Sequence, residues 1–260
     1  VAAGRRARGR GRAAARAVLT AGAPGCMRDD LAIPSAGMRH ILVFGATSAI
    51  AARVIASWAA CGDRLHLVGR DPGKLAAVAA ACPSPGGVTT ASADLGELAK
   101  AEALVAASVA ALDGRVDLVF VAHGDLGDQL RSEHDFTEAE RILRVNFLSV
   151  VAVPVKKKAQ LERQRSGALA VITSVAGERG RPRNYTYGAA KGGLNLYLQG
   201  LRSRLYGAGV AVTTLKLGPV DTPMTTQHRK TAVFSSPEKV ARAIVWAIDR
   251  GAGEVFVPGF

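Results

Sequence analysis

Seven short runs of aliphatic and β-branched residues, separated for the most part by helix-length stretches, constrain this chain more than anything else in it. The strands are expected at Ile41–Phe44, Leu65–Val68, Val88–Ala91, Val116–Ala122, Ala168–Thr173, Val210–Leu217 and Val255–Val257. Helical patterning fills the intervals at Ala49–Ala60, Lys74–Ala81, Leu95–Leu112, Tyr185–Tyr206 and Pro237–Asp249. A further long helix is expected over Thr137–Arg163, with a kink at Pro154, because proline removes one helical donor. Repeated βα units with short apolar strands fold as an α/β domain, a single doubly wound parallel sheet with helices on both faces.

Composition fits that reading. A chain of 260 residues with 48% hydrophobic content can bury one good core. The three cysteines, Cys26, Cys61 and Cys82, form no CxxC or Cys/His ligand spacing. This predicts no disulfide framework and a cytoplasmic location. No run of 18 apolar residues suggests a membrane span. The remaining histidines, His40, His66, His134 and His228, show no metal-ligand spacing, and no metal is expected.

The net charge of +13 is spread unevenly. Residues 1–37 hold seven Arg against two Asp and are rich in Ala and Gly, which predicts a disordered basic arm ahead of a domain at 38–260. Three readings of the arm stay open: an organelle-type targeting segment, a basic arm for nucleic acid or acidic surfaces, or residues upstream of a true start at Met38. The rest of the chain is still basic, which suits an anionic cofactor or substrate; nucleic acid is not the expected partner.

The first strand runs directly into Gly45-Ala46-Thr47-Ser48-Ala49-Ile50-Ala51 and a helix. A glycine there permits a tight turn, and the helix start offers unpaired N–H groups to a pyrophosphate. A plain structural turn is the competing reading. After the second strand, Gly69 stands where an acid would hold a ribose 2′-hydroxyl, and Arg70 follows, able to pair a 2′-phosphate. NADP(H) is therefore preferred to NAD(H); the alternative is that Arg70 caps a solvated loop.

Ser174 ends the fifth strand, and Tyr187 and Lys191 follow at i and i+4 on one helix face. An ammonium beside a phenol favours phenolate and is expected to lower the tyrosine pKa toward working pH. Such a phenol passes a proton to or from a carbonyl oxygen that the Ser174 hydroxyl also binds. An exposed helix face is the bland reading of the same spacing.

With these pieces together, residues 38–258 resemble the short-chain dehydrogenase/reductase family, a Rossmann-like fold of about 250 residues. The family's glycine motif falls on Gly45, Ala49 and Ala51, two of them substituted. Its adenine-contacting acid matches Asp94, followed by Leu95, and its Asn-Ala-Gly turn corresponds to Ala122-His123-Gly124. Its segment after the sixth strand appears as Gly218-Pro219-Val220-Asp221-Thr222, with Leu217 in place of the usual proline. The resemblance implies a catalytic set of Asn146, Ser174, Tyr187 and Lys191. It implies Tyr187 as acid/base, Ser174 positioning the carbonyl, Lys191 also holding the nicotinamide ribose, and Asn146 anchoring a water in a proton relay. It implies a dinucleotide held by Gly45, Thr47, Ser48, Ala49, Ile50, Arg70, Asp94, Leu95, Ala122, His123, Gly124, Tyr187, Lys191, Gly218, Val220 and Thr222. A homodimer or homotetramer through Thr137–Arg163 and Tyr185–Tyr206 is also implied, as is a mobile substrate lid over Thr222–Ser236.

The segments 122–129, 174–194 and 218–225 are similar to a narrower group containing the keto-reducing subunit of decaprenylphosphoryl-ribose 2′-epimerase. That points to a keto-sugar substrate, although that enzyme is associated with NADH whereas Arg70 argues for NADPH. A 3-oxoacyl thioester or a small ketone are the alternative substrates, and a non-catalytic dinucleotide sensor is the alternative class. Arg179, Arg181 and Arg183 lie between Ser174 and Tyr187, where they read first as a solvated charged loop and, as the competing hypothesis, as holding at least one arginine that binds an anionic group such as a phosphate. Lys156-Lys157-Lys158 reads as a solvated face or a peripheral membrane contact.

Overall fold

Strands buried on both faces need a helix layer on each side, and the burial of the strands shows that arrangement. The computed structural model describes residues 37–153, 165–226, 231 and 233–258. Seven strands, β1 (His40–Phe44), β2 (Arg64–Gly69), β3 (Val88–Ser92), β4 (Leu118–Val121), β5 (Ala168–Ser174), β6 (Ala211–Leu217) and β7 (Glu254–Val257), form one sheet in the order β3-β2-β1-β4-β5-β6-β7. Every pairing is parallel. The fold is the expected Rossmann-like one.

Side chains alternate between the two faces along each strand. Ile41 and Val43 pack with Val54, Ile55 and Trp58 of α1 (Ala49–Ala60), Leu75 of α2 (Pro72–Ala81) and Ile244 and Ile248 of a helix at Pro237–Asp249. Leu42 and Phe44 face the other way, toward Val105 of α3 (Ala101–Ala110) and Leu194, Leu198 and Leu201 of a helix at Tyr185–Tyr206. Trp58 meets Phe120 edge-on at 5.3 Å between ring centroids, joining α1 to β4. Because β1 lies between β2 and β4, the chain changes direction across the sheet there, and a crevice opens beyond the strand ends.

The structure departs from the expected elements in three places. The helix expected from Leu95 begins only at Ala101, after a short 3₁₀ turn at Leu98–Lys100. The Asp94 carboxylate accepts the Gly96 N–H at 2.8 Å, and this local turn competes with a helix start. A four-residue helix, α4 (Gln129–Ser132), precedes α5 (Phe136–Leu143) and was not foreseen. The long helix expected over Thr137–Arg163 is interrupted by a π-helical turn at Arg144–Leu148, with helix resuming over residues 149–153. The kink expected at Pro154, the lysine cluster at 156–158 and the arm at 1–36 lie outside the described residues. The helices Tyr185–Tyr206 and Pro237–Asp249 are α6 and α7. Cys82 is free and buried, whereas Cys61 is disulfide-bonded to a partner outside the described residues.

Candidate active site

Beyond the ends of β1, β2, β4, β5 and β6 lies a cavity of about 810 Å³. Its floor at β1 is Gly45, whose φ of +82° only glycine adopts without strain. A side chain there would also collide with His123, since a Cβ would lie 2.5 Å from the His123 backbone nitrogen. Thr47, Ser48, Ala49 and Ile50 continue the wall into α1. That helix has no acidic residue in its first turn and no side-chain cap from Ser48, so its first N–H groups are left for an anion. The substituted positions Ala49 and Ala51 do not obstruct the turn: Ala51 is packed in the core, and Ala49 lines the cavity.

At the end of β2, a Cβ on Gly69 would sit 3.3 Å from side-chain atoms of both Thr47 and Leu75, so an acid there would be crowded. Arg70 lines the cavity next to it, forms no salt bridge among the described residues, and lies close enough for its charge to act on His123 and Asp125. Asp94, Leu95, Ala122, His123, Gly124, Gly218, Val220 and Thr222 also line this cavity. Every residue assigned to the dinucleotide from the sequence therefore faces one space. Gly124 is a tight point, because a Cβ there would come 2.9 Å from Asn146 Oδ1 and 3.4 Å from Lys191 Nζ.

The chemistry-bearing side chains converge at β5 and α6. Ser174 ends β5, its Oγ accepting the Ala176 N–H at 3.1 Å, and its side chain lies close enough to the Tyr187 phenol to oppose the rise of that phenol's pKa. Lys191 is buried, with Nζ donating to the Ile172 carbonyl at 3.4 Å and standing 5.7 Å from the Tyr187 ring centre. Both face the cavity. Asn146 does not line it but lies fully buried behind it. Its Nδ2 donates to the Asp125 and Ile142 carbonyls at 2.7 and 2.9 Å, and its Oδ1 accepts the Asp125 N–H at 3.0 Å. The π-helical turn places it there, and its side chain occupies the Ile142 carbonyl that the interrupted helix ladder would otherwise use.

One expectation is corrected. Burial pushes the Tyr187 phenol up to about 12; the nearby Ser174 side chain opposes the shift and the Asp125 carboxylate adds to it. Burial also lowers Lys191 to about 8. The loss of water around the phenol dominates, which favours a neutral phenol at Tyr187 rather than a near-phenolate.

Several contributors have no signal in the sequence pattern. His123 Nε2 lies 2.8 Å from Ser149 Oγ, and Ser149 itself donates to the Val145 carbonyl at 2.7 Å. With that hydroxyl proton spent, Ser149 accepts from His123, which fixes the imidazole as its Nε2–H tautomer. Burial, with the charges of Lys191 and Arg70, holds His123 at about 3, so it stays neutral. Arg141 bonds Asp125 Oδ2 at 2.5 Å and Glu138 at 2.8 Å. Burial works against charge on Asp125, but the bonds from Arg141 and the Gly127 N–H overcome it and keep its pKa below the ordinary carboxylate value. The His123–Ser149 and Arg141–Asp125 contacts join segments 26 and 16 residues apart, across a π turn that no residue spacing announces. On the far side of β5, Glu178 accepts from Asn195 at 2.7 Å and pairs with buried Lys216 at 2.9 Å. Lys216 also pairs with Glu254 at 2.7 Å. This network pins the turn after Ser174 onto α6, β6 and β7.

The sequence pattern of the short chain dehydrogenase family matches residues 39–233. The chain belongs to that family. An uncharacterized oxidoreductase of Streptomyces coelicolor is 35% identical over 223 residues, covering 85% of this chain and 88% of that protein. Another, from Mycobacterium tuberculosis strain H37Rv, is 34% identical over 224 residues, covering 85% and 89%. Among solved structures, a short-chain dehydrogenase from Sphingobium yanoikuyae in complex with NADPH superposes with a TM-score of 0.77. It is 23% identical and covers 85% of this chain and 88% of that one, a likeness of fold. The protein is thus an oxidoreductase of a family that uses a nicotinamide dinucleotide on small molecules. No helix among the described residues is long and apolar enough to cross a membrane.

Proposed function

We propose that the protein is an NADP(H)-preferring reductase of a ketone, or dehydrogenase of the matching secondary alcohol. A keto-sugar is the first choice of substrate, and a 3-oxoacyl thioester and a small ketone follow. The observation that carries the reading is the buried Tyr187 phenol, close to Ser174 and beside Lys191, on the wall of the cavity.

In this reading Arg70 and Lys74, both on the cavity wall at the β2 end, hold the 2′-phosphate. The open start of α1 takes the pyrophosphate, and Asp94 and Leu95 border the adenine. A nicotinamide held by these residues would supply the hydride for the carbonyl carbon. Ser174 orients the carbonyl oxygen, and Tyr187 delivers its proton as charge develops there. Lys191, charged below about pH 8, stabilises the phenolate left behind. Asn146 holds the Asp125 backbone and the π turn in place, so that the Lys191 amine stays aligned with a path for reprotonation.

A cofactor-oxidation assay over a panel of ketones, run with NADPH and NADH in parallel, tests the proposal. Turnover with NADPH at a clearly lower KM than NADH supports it. Binding of both cofactors with no turnover on any ketone favours the second reading, a dinucleotide sensor, to which the substituted glycine motif at Ala49 and Ala51 lends some weight. Self-association through α5, the π turn and α6 is part of the proposal. Phe136, Leu148 and Leu196 are exposed large apolar side chains on those elements, and light scattering checks it.

A further inference from the structure

The cavity is strongly asymmetric in charge. Arg70, Lys74, Arg181, Arg183 and Lys191 line it, against the single carboxylate of Asp94. Arg70, Lys74 and Asp94 belong to the end formed by β2 and β3. Arg181 and Arg183 sit after β5, and β5 is three places from β2 in the sheet. At about 4.8 Å per strand, that separation is roughly 14 Å. The two arginines lie on the segment between Ser174 and Tyr187, on the side of the cavity where the reacting carbonyl would lie.

Their charge is not spent elsewhere. Neither guanidinium makes a salt bridge or side-chain hydrogen bond among the described residues. The nearest carboxylate in sequence, Glu178, is drawn away by Lys216 and Asn195. Asn184, also on the cavity wall, begins α6 without a side-chain cap, and the first turn of that helix holds no acidic residue. The positive end of a 22-residue helix thus adds to the same field. Arg179, by contrast, does not line the cavity. Leu126, Met224 and Phe234 do, which leaves room for an apolar or sugar-like body between the anion and the carbonyl.

We infer that Arg181 and Arg183 form an anion subsite, and that the substrate is a ketone carrying a carboxylate or phosphate. This rests on the reductase reading for the identity of the reacting group, but not for the binding of the anion. Two matched pairs test it: acetoacetate against methyl acetoacetate, and dihydroxyacetone phosphate against dihydroxyacetone. The wild-type enzyme is expected to favour the charged member of at least one pair by tenfold or more in kcat/KM, with the preference shrinking as salt rises. The pair that shows it distinguishes carboxylate from phosphate. In the R181Q/R183Q double variant the preference falls at least tenfold, whereas R179Q keeps the wild-type preference.

Calorimetry of the NADPH-loaded protein with the same four compounds reads binding apart from turnover. If nothing is reduced but the anions still bind better than their neutral partners, and lose that advantage in R181Q/R183Q, the reductase reading falls and the subsite stands. If no pair shows a preference in either measurement, or the double variant keeps it, the subsite is overturned.

Discussion

The two ends of the cavity are built in opposite ways. At the β5–α6 end, the proposed function would rest on side chains held by buried contacts: Lys191 on the Ile172 carbonyl, Asn146 on Asp125 and Ile142, and Glu178 between Lys216 and Asn195. At the β1–β2 end it would rest on backbone and exposed charge: a positive-φ glycine, an uncapped helix start and Arg70. Held side chains demand particular residue types at particular spacings. Backbone N–H groups ask only that nothing block them, so alanines can stand at two of the three usual glycine positions.

The sharpest way to break this contrast is at the phenol. Tyr187→Phe is expected to lower kcat for ketone reduction by roughly 10²–10⁴ while leaving NADPH affinity near the wild-type value. Stopped-flow hydride transfer and fluorescence titration check the two halves, and near-full turnover would remove the proposed acid. Arg70→Ser probes the other end. Losing charge-assisted bonds worth about 1.5–3 kcal/mol would cut the NADPH-over-NADH preference roughly 10- to 100-fold, with kcat little changed. A large loss of kcat with both cofactors would show that the two ends are not separable.

A pH profile sharpens the comparison further. Lys191 is protonated below about 8 and neutral above it, so the stabilisation it gives the departing proton's site is lost as pH rises. The kcat/KM for reduction should fall by about tenfold per pH unit above that value, while Tyr187, raised to about 12, adds no break in the working range. A flat profile to pH 10 would remove the charge of Lys191 from the mechanism. Gly45→Ala forces a side chain into a φ of +82° against His123, and is expected to cost about 1–3 kcal/mol of stability, read from denaturant unfolding. The smallest effect is expected for the His123–Ser149 bond. A double-mutant cycle of His123→Ala and Ser149→Ala should give a coupling of about 0.5–1.5 kcal/mol.

How much of this was legible beforehand follows the same division. The ranges of α1, α6 and α7 match their sequence reading because local signals mark them: Ser48 and Ser236 at the starts, Pro237 in the first turn, and Gly207 after Tyr206. The Tyr187/Lys191 spacing and the strand-end Ser174 were legible for the same local reason. The direction of the tyrosine shift was not, since burial, which dominates it, is a property of the packed chain. The interruption at Arg144–Leu148 was hidden too, because it is fixed by Asp125 and His123, which approach from the loop after β4.

That interruption makes the protein vulnerable in an unusual way. A π turn is an α-helix carrying one surplus residue, and each helical residue advances the side chains by about 100°. Removing Val145 would let a regular spiral close up. It would also swing Asn146 out from behind the pocket by more than a quarter turn. The repaired rod is expected to lose turnover, because Asn146 would no longer bond the Asp125 backbone.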